Sequence, residues 1–197
     1  MMNKILLLSV ISILLFCAPV FADYAKGLDA AQKGDFVTAL KEWKPLAEQG
    51  DDAGAQYGLG VMYSNGHGVI RDYKAAVKWY TLAAEQGHVD AQHNLGLMYR
   101  KGQDVIQDYK AAFKWYKLAA EQEDAKAQQN LGVMYSNGHG VIQDYTRAHM
   151  WWNIAASQGD KYSVKNRDSI AKKMTPSQIE KAQTLARECV AKKYKDC

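Results

Sequence analysis

Beyond residue 22 the 197-residue chain has no second long apolar run, so no stable membrane span is expected in the mature protein. Reaction-bearing motifs are missing as well: there is no Ser-x-x-Lys, Gly-x-Ser-x-Gly or His-Glu-x-x-His. None of the five histidines (His67, His88, His93, His139, His149) has a partner at the four-residue spacing of a helical zinc site. No metal or cofactor is expected, and the chain reads as a non-enzyme. Cysteine is scarce, and the Cys-x-x-Cys spacing of redox sites is absent. No groove-reading motif is present, which argues against a nucleic-acid partner. The formal net charge is only +4, but it is unevenly placed. Residues 23–160 hold 14 Lys and Arg against 17 Asp and Glu, whereas residues 161–197 hold 10 against 4. Such a basic tail suits an anionic surface, although a solvated helix face is the commoner meaning of a charge run.

The N-terminus has a different character. Lys4 precedes a mostly apolar stretch from Ile5 to Phe16, and Val20-Phe21-Ala22 offers cleavage chemistry after Ala22. Residues 1–22 are read as a secretory signal peptide, because the apolar run is shorter than the roughly 20 residues a membrane span needs. The mature protein is therefore expected in the periplasm or secreted.

From Asp52 to Asp160 the sequence repeats at an offset of 36 residues. That offset links Ala55, Ala91 and Ala127; Gly60, Gly96 and Gly132; Tyr63, Tyr99 and Tyr135; Asp72, Asp108 and Asp144; and Trp79, Trp115 and Trp151. Such a period marks stacked repeats rather than a single-core globule. In the first copy, Leu59, Met62 and Tyr63 share one helical face. Ser64-Asn65-Gly66-His67-Gly68 is a turn cluster, Asp72 stands as an N-cap, and Ala76, Trp79, Tyr80 and Ala83 form a second helical face. Gly87 is placed where a helix end needs a left-handed residue, and Asp90 is positioned to cap the next copy. Each copy thus reads as helix, turn, helix, turn. Glycine at 60, 96 and 132 costs roughly 1 kcal/mol of helix propensity each, which predicts a second helix passing close by. His67 and His139 occupy equivalent turns, too far apart to share a metal.

The pattern Ala-x-x-x-Leu-Gly-x-x-Tyr-x-x-Gly, then Asp-Tyr-x-x-Ala-x-x-Trp-Tyr-x-x-Ala-Ala, is carried by Ala91, Leu95, Gly96, Tyr99, Gly102, Asp108, Tyr109, Ala112, Trp115, Tyr116, Ala119 and Ala120. It resembles the Sel-one-like repeat, a relative of the tetratricopeptide repeat. The resemblance implies an all-α fold, an α/α superhelix (solenoid) of tandem helix-turn-helix repeats. It also implies a protein or peptide partner, held on a concave surface lined by the first helix of each copy. On that basis the binding positions are Tyr57, Val61 and Ser64; His93, Asn94, Leu97 and Arg100; and Gln129, Asn130, Val133 and Ser136. Asn94 and Asn130 match positions at which related repeats hold a ligand backbone. The lysine-rich clamp of some relatives is missing, with only Arg100 and Lys101 near it. Cysteine-rich family members assigned β-lactamase activity carry a cysteine pair in each repeat, and this chain has none there. The middle copy departs at Gly102-Gln103-Asp104, where aspartate should tolerate the left-handed turn, and Glu123 replaces an end glycine.

Residues 23–51 read as a degenerate N-terminal capping repeat, with a turn at Gly34-Asp35 and a kink or early break at Pro45. Residues 161–197 read as capping helices, the last starting at Thr175-Pro176-Ser177-Gln178. In an oxidising compartment Cys189 and Cys197 are expected to pair. The functional reading is an exported, monomeric interaction scaffold. The alternatives are an envelope-assembly or host-directed role and, remotely, a β-lactamase-like hydrolase.

Overall fold

The computed structural model describes residues 24–50 and 52–197, and the expected signal peptide lies outside them. The described residues form ten helices and no strand. They are α1 (24–32), α2 (Phe36–Gln49), α3 (Ala53–Asn65), α4 (Tyr73–Glu85), α5 (Val89–Lys101), α6 (Tyr109–Ala120), α7 (Ala125–Asn137), α8 (Tyr145–Ser157), α9 (Lys161–Ala171) and α10 (Pro176–Ala191). No helix among them is long and apolar enough to cross a membrane. The fold is all-α, built from tandem helix-turn-helix repeats of the α/α solenoid type. The described residues divide into two compact units, one ending at Gln86 and the other running from Gly87 to Cys197.

In the first unit, Asp35 caps α2 by accepting from the Thr38 N–H, and α2 packs on α3. The break expected at Pro45 does not occur, since α2 continues to Gln49. Pro45 and Lys41 both lie on the exposed face, so the carbonyl deprived of its donor four residues upstream meets water. Asp52 caps α3 through the Ala55 N–H, and α3 pairs with α4. Ala39, Trp43, Leu46, Ala55, Leu59, Met62 and Trp79 form the core.

The second unit holds α5–α10. Here α5 pairs with α6, α6 packs on α7, α7 pairs with α8, and both α9 and α10 pack on α8. Trp115 and Trp151 are buried, and Ala112, Tyr116, Leu131, Met134 and Ile154 fill the space between helices. The cap of α5 is His88, whose Nδ1 accepts from the Ala91 N–H at 3.4 Å; Asp90 lies inside the first turn instead. The reason is register: the capping positions are 36 residues apart at Asp52, His88, Asp124 and Asp160. His88 must therefore serve where the other copies have a carboxylate, and Asp90 favours the helix N-terminus only through its charge.

The turn inside each copy is held the same way three times. The Asp72, Asp108 and Asp144 backbone N–H groups donate to the carbonyls of Tyr63, Tyr99 and Tyr135 at 2.9–3.0 Å. Their side chains then cap α4, α6 and α8. Asp104 does take the left-handed conformation (φ 51°) that Gly68 and Gly140 take elsewhere, and Glu123 does so at φ 70°. The helical glycines are explained by aromatic rings. A Cβ on Gly60 would lie 2.5 Å from the Tyr80 ring, one on Gly96 would lie 2.8 Å from the Tyr116 ring, and one on Gly132 would collide with the Trp152 indole.

Candidate protein-binding face

The first helix of each copy turns one side towards its pair-mate. In α5 that side is Ala91, Gln92, Leu95, Gly96 and Met98, all buried. Helical geometry then carries the remaining positions to the other side of the same helix. All eleven positions expected to bind are half-buried: Tyr57, Val61 and Ser64 on α3; His93, Asn94, Leu97 and Arg100 on α5; and Gln129, Asn130, Val133 and Ser136 on α7. Each lies at the edge of the core rather than standing free in solvent.

In the second unit these residues meet. Asn130 Nδ2 lies 3.4 Å from His93 Nε2 and donates to the Lys126 carbonyl at 2.9 Å. The His93 ring tilts over Tyr116, with centroids 5.7 Å apart. Burial holds His93 below the usual histidine range; Asp124 and Asp90 oppose that effect, and Lys126 and Arg100 add to it. Tyr116 is wholly buried. Burial pushes its phenol up to about 12, with the neighbouring Arg100 guanidinium drawing it partly back. The Tyr116 hydroxyl and Arg100 Nε are both buried without an acceptor, and the guanidinium lies against the hydroxyl. Gln129 takes part through its backbone, its carbonyl accepting from Trp152 Nε1 at 3.1 Å. In the first unit Tyr57 tilts over Tyr80 at 5.8 Å.

Tyr116 was not among the expected site residues, because its repeat position marks it only as core. A second feature also escaped the sequence reading. Gln56, Gln92 and Gln128 are buried, and their Oε1 atoms accept from Nε2 of Gln86, Gln122 and Gln158 at 2.7–2.9 Å. Each bond ties the start of a first helix to the end of its pair-mate. Both glutamine series recur at the 36-residue offset, so the signal was present. The turn histidines have a role as well: His67 stacks on Phe36 at 4.4 Å and His139 on Tyr109 at 4.3 Å.

Cys189 and Cys197 are joined as a disulfide, with Cα atoms 5.5 Å apart. No group of three or more His, Cys, Asp or Glu among the described residues is arranged to hold a metal ion.

The model of the Sel1 repeat matches residues 53–88, 89–124 and 125–160, which together are more than half the chain. Among solved structures, a Sel1 repeat protein from Oxalobacter formigenes is 37% identical, with TM-score 0.60 over 66% of this chain and 98% of that one. The protein c5321, a protective antigen of uropathogenic Escherichia coli with an SLR fold, is 29% identical with TM-score 0.54; the match covers 89% of this chain but only 46% of that one. Helicobacter pylori cysteine rich protein B shares the fold at 19% identity, with TM-score 0.53 over 66% of this chain and 93% of that one. No curated protein matches. Sel1 repeat proteins are generally scaffolds for protein interaction. Three consecutive matched copies, each closed by the same glycine–aromatic contact and capped turn, place this chain in the Sel1 repeat family.

Proposed function

We propose that this chain is an exported scaffold that binds a protein or peptide partner through the half-buried faces of its first helices. One observation carries the reading. Beneath the face the copies are identical: Ala55, Ala91, Ala127; Gln56, Gln92, Gln128; Leu59, Leu95, Leu131; Met62, Met98, Met134. On the face they diverge: Tyr57, His93, Gln129; Val61, Leu97, Val133; Ser64, Arg100, Ser136. Stacking makes the same demand at equivalent positions, so variation among copies at this face supports a role for it beyond packing. Polar and apolar residues that differ from copy to copy on a regular scaffold suit a protein or peptide ligand. Export is supported by the leader-like N-terminus and by the Cys189–Cys197 disulfide, which suits an oxidising compartment.

A photo-crosslinking side chain at Leu97 or Val133 should capture a discrete partner from the native envelope fraction. The same group at Lys110, exposed on α6, should not. Equal adducts from all three positions, or adducts from Lys110 alone, would move the binding surface off the first helices.

A further inference from the structure

The middle copy differs from its neighbours in one short stretch. Residues 63–70 and 135–142 both read Tyr-Ser-Asn-Gly-His-Gly-Val-Ile, whereas residues 99–106 read Tyr-Arg-Lys-Gly-Gln-Asp-Val-Ile. Two copies form this turn with the same eight residues, so the fold does not require Arg100, Lys101, Gln103 or Asp104. The middle copy also carries costs that the others avoid. Asp104 adopts a left-handed φ of 51° that glycine takes more easily, and Arg100 brings a guanidinium into a half-buried position.

That guanidinium forms no ion pair with any carboxylate among the described residues. Its Nε is buried without a hydrogen-bond acceptor, and the buried hydroxyl of Tyr116, from the paired helix α6, lies against the same guanidinium with no acceptor for its own proton. A guanidinium whose Nε is buried without an acceptor, beside a buried hydroxyl that also lacks one, is costly unless an acceptor arrives from outside. Cations do favour the last turn of a helix, but exposed Lys101 supplies that benefit without burial. The nearby acids do not answer the charge. Asp90 lies ten residues back along α5, about 15 Å away by helical rise. Asp124 sits at the N-terminus of α7, where it caps the Ala127 N–H.

We propose that Arg100 and Tyr116 form a receptor for one Asp or Glu side chain within an acidic segment of the partner. The guanidinium and the hydroxyl both donate to that carboxylate. His93, seven residues before Arg100 on the same face of α5, and Asn130 on α7 lie beside it as polar contacts for the segment's backbone. Apart from Lys126, whose charge acts on His93, the α7 positions (Gln129, Asn130, Val133, Ser136) are uncharged, so Arg100 is matched to one negative charge. An acidic C-terminal residue would bring two. This inference rests on the first-helix reading above and adds the chemistry of the ligand.

The test uses the mature chain and a set of short fluorescein-labelled peptides with amidated C-termini, each carrying one Glu among neutral residues, and their Gln counterparts. Binding is followed by fluorescence anisotropy. The expected result is a preference for Glu over Gln of about tenfold, the size of a charge-assisted hydrogen-bonded contact. Arg100→Ser should erase the preference. This variant installs the residue of the flanking copies, so the fold already accommodates it. Tyr116→Phe, which keeps the ring and removes only the hydroxyl, should reduce the preference severalfold. Arg187→Ser, exposed on α10, should leave it intact. Equal binding of Glu and Gln peptides, a preference that survives Arg100→Ser, an equal loss with Arg187→Ser, or no peptide binding would each overturn the proposal. A preference seen only when the peptide C-terminus is left as a free acid would reassign the site to a terminal carboxylate. If the crosslink at Leu97 forms while Glu discrimination is absent, the first-helix surface stands and only this chemistry fails. If the crosslink also fails, the surface itself is wrong.

Discussion

Replacing Gly96 with alanine sets two opposed effects against each other, and the structure decides between them. In an exposed helix interior the change should stabilise by roughly 1 kcal/mol, because alanine loses less backbone entropy on folding. Here the new Cβ would lie 2.8 Å from both Cδ1 and Cε1 of Tyr116. Those atoms belong to a rigid ring that is wholly buried, with His93 tilted over it at 5.7 Å. The ring cannot swing aside, so α5 and α6 must move apart. Overpacking of this kind typically costs about 1–3 kcal/mol and should exceed the propensity gain. We therefore expect a net loss of about 1–2 kcal/mol. In a chain of this size that lowers the melting temperature by about 2–8 °C. The check is a thermal and urea melt of the Gly96→Ala protein, repeated in a Tyr116→Leu background. Once the ring is gone, adding Gly96→Ala should be neutral or stabilising. A rise in melting temperature in the wild-type background, or the same loss in both, would refute the close-packing account of the helical glycines.

Two further outcomes are expected. Burial lowers the pKa of both His93 and His149; Arg167 adds to the effect at His149 and Asp168 opposes it, while His93 has the four charged neighbours named above. A histidine held neutral in the fold binds fewer protons than in the unfolded chain. Stability should thus be flat above about pH 7 and fall as pH drops below the unfolded value of about 6.5; urea midpoints from pH 8 to 5.5 should show this slope, and an unchanged slope in His93→Gln/His149→Gln would refute the assignment. Free-thiol counting on the chain without residues 1–22, purified and unfolded without reductant so that buried Cys189 is reachable, should find none. Two titratable thiols would remove the disulfide, and with it about 2–3 kcal/mol of expected loop-closure stabilisation.

How far the sequence could be read depended on whether a feature repeats along the chain or arises between helices. The 36-residue offset exposed the helix pairs, the capping aspartates and the buried tryptophans, because each is defined by its own position in the period. Asp90 was misplaced as a cap since aspartate outranks histidine by propensity, yet the same offset run from Asp52 to Asp124 points to His88. At Pro45 the sequence predicts a kink or an early break because exposure is not legible in it; α2 runs on to Gln49, and on its solvated face water meets the carbonyl that lost its donor. The glutamine bonds and the Arg100–Tyr116 contact were not legible at all. Each joins residues 16 or 30 positions apart, and only the packing angle of the paired helices decides that they meet.

The same logic explains where the array stops. Counted from Asp160, α9 begins as a fourth first helix: Asp160 accepts from the Ser163 N–H as Asp124 does from the Ala127 N–H, and Ser163 is wholly buried at the alanine position. Four residues further the match ends. Leu59, Leu95 and Leu131 become Arg167, and Gly60, Gly96 and Gly132 become Asp168. The leucine supplied apolar contact to the pair-mate, and the glycine made room for its aromatic ring. An arginine and an aspartate, ion-paired with each other at 2.8 Å, do neither. Helix α10 therefore packs on α8, where Ala182, Ala186 and Cys189 find an apolar surface. The Arg167 guanidinium is left to donate to Asn153 Oδ1 on α8 at 3.3 Å. The seat for the second helix is lost in a stretch whose first helix still forms and still caps correctly, and the turn and second-helix residues are lost with it: Asp144 becomes Glu180 and Trp151 becomes Arg187. A capped first helix is therefore not sufficient to continue the repeat; the leucine–glycine seat and the residues of the second helix must be present with it.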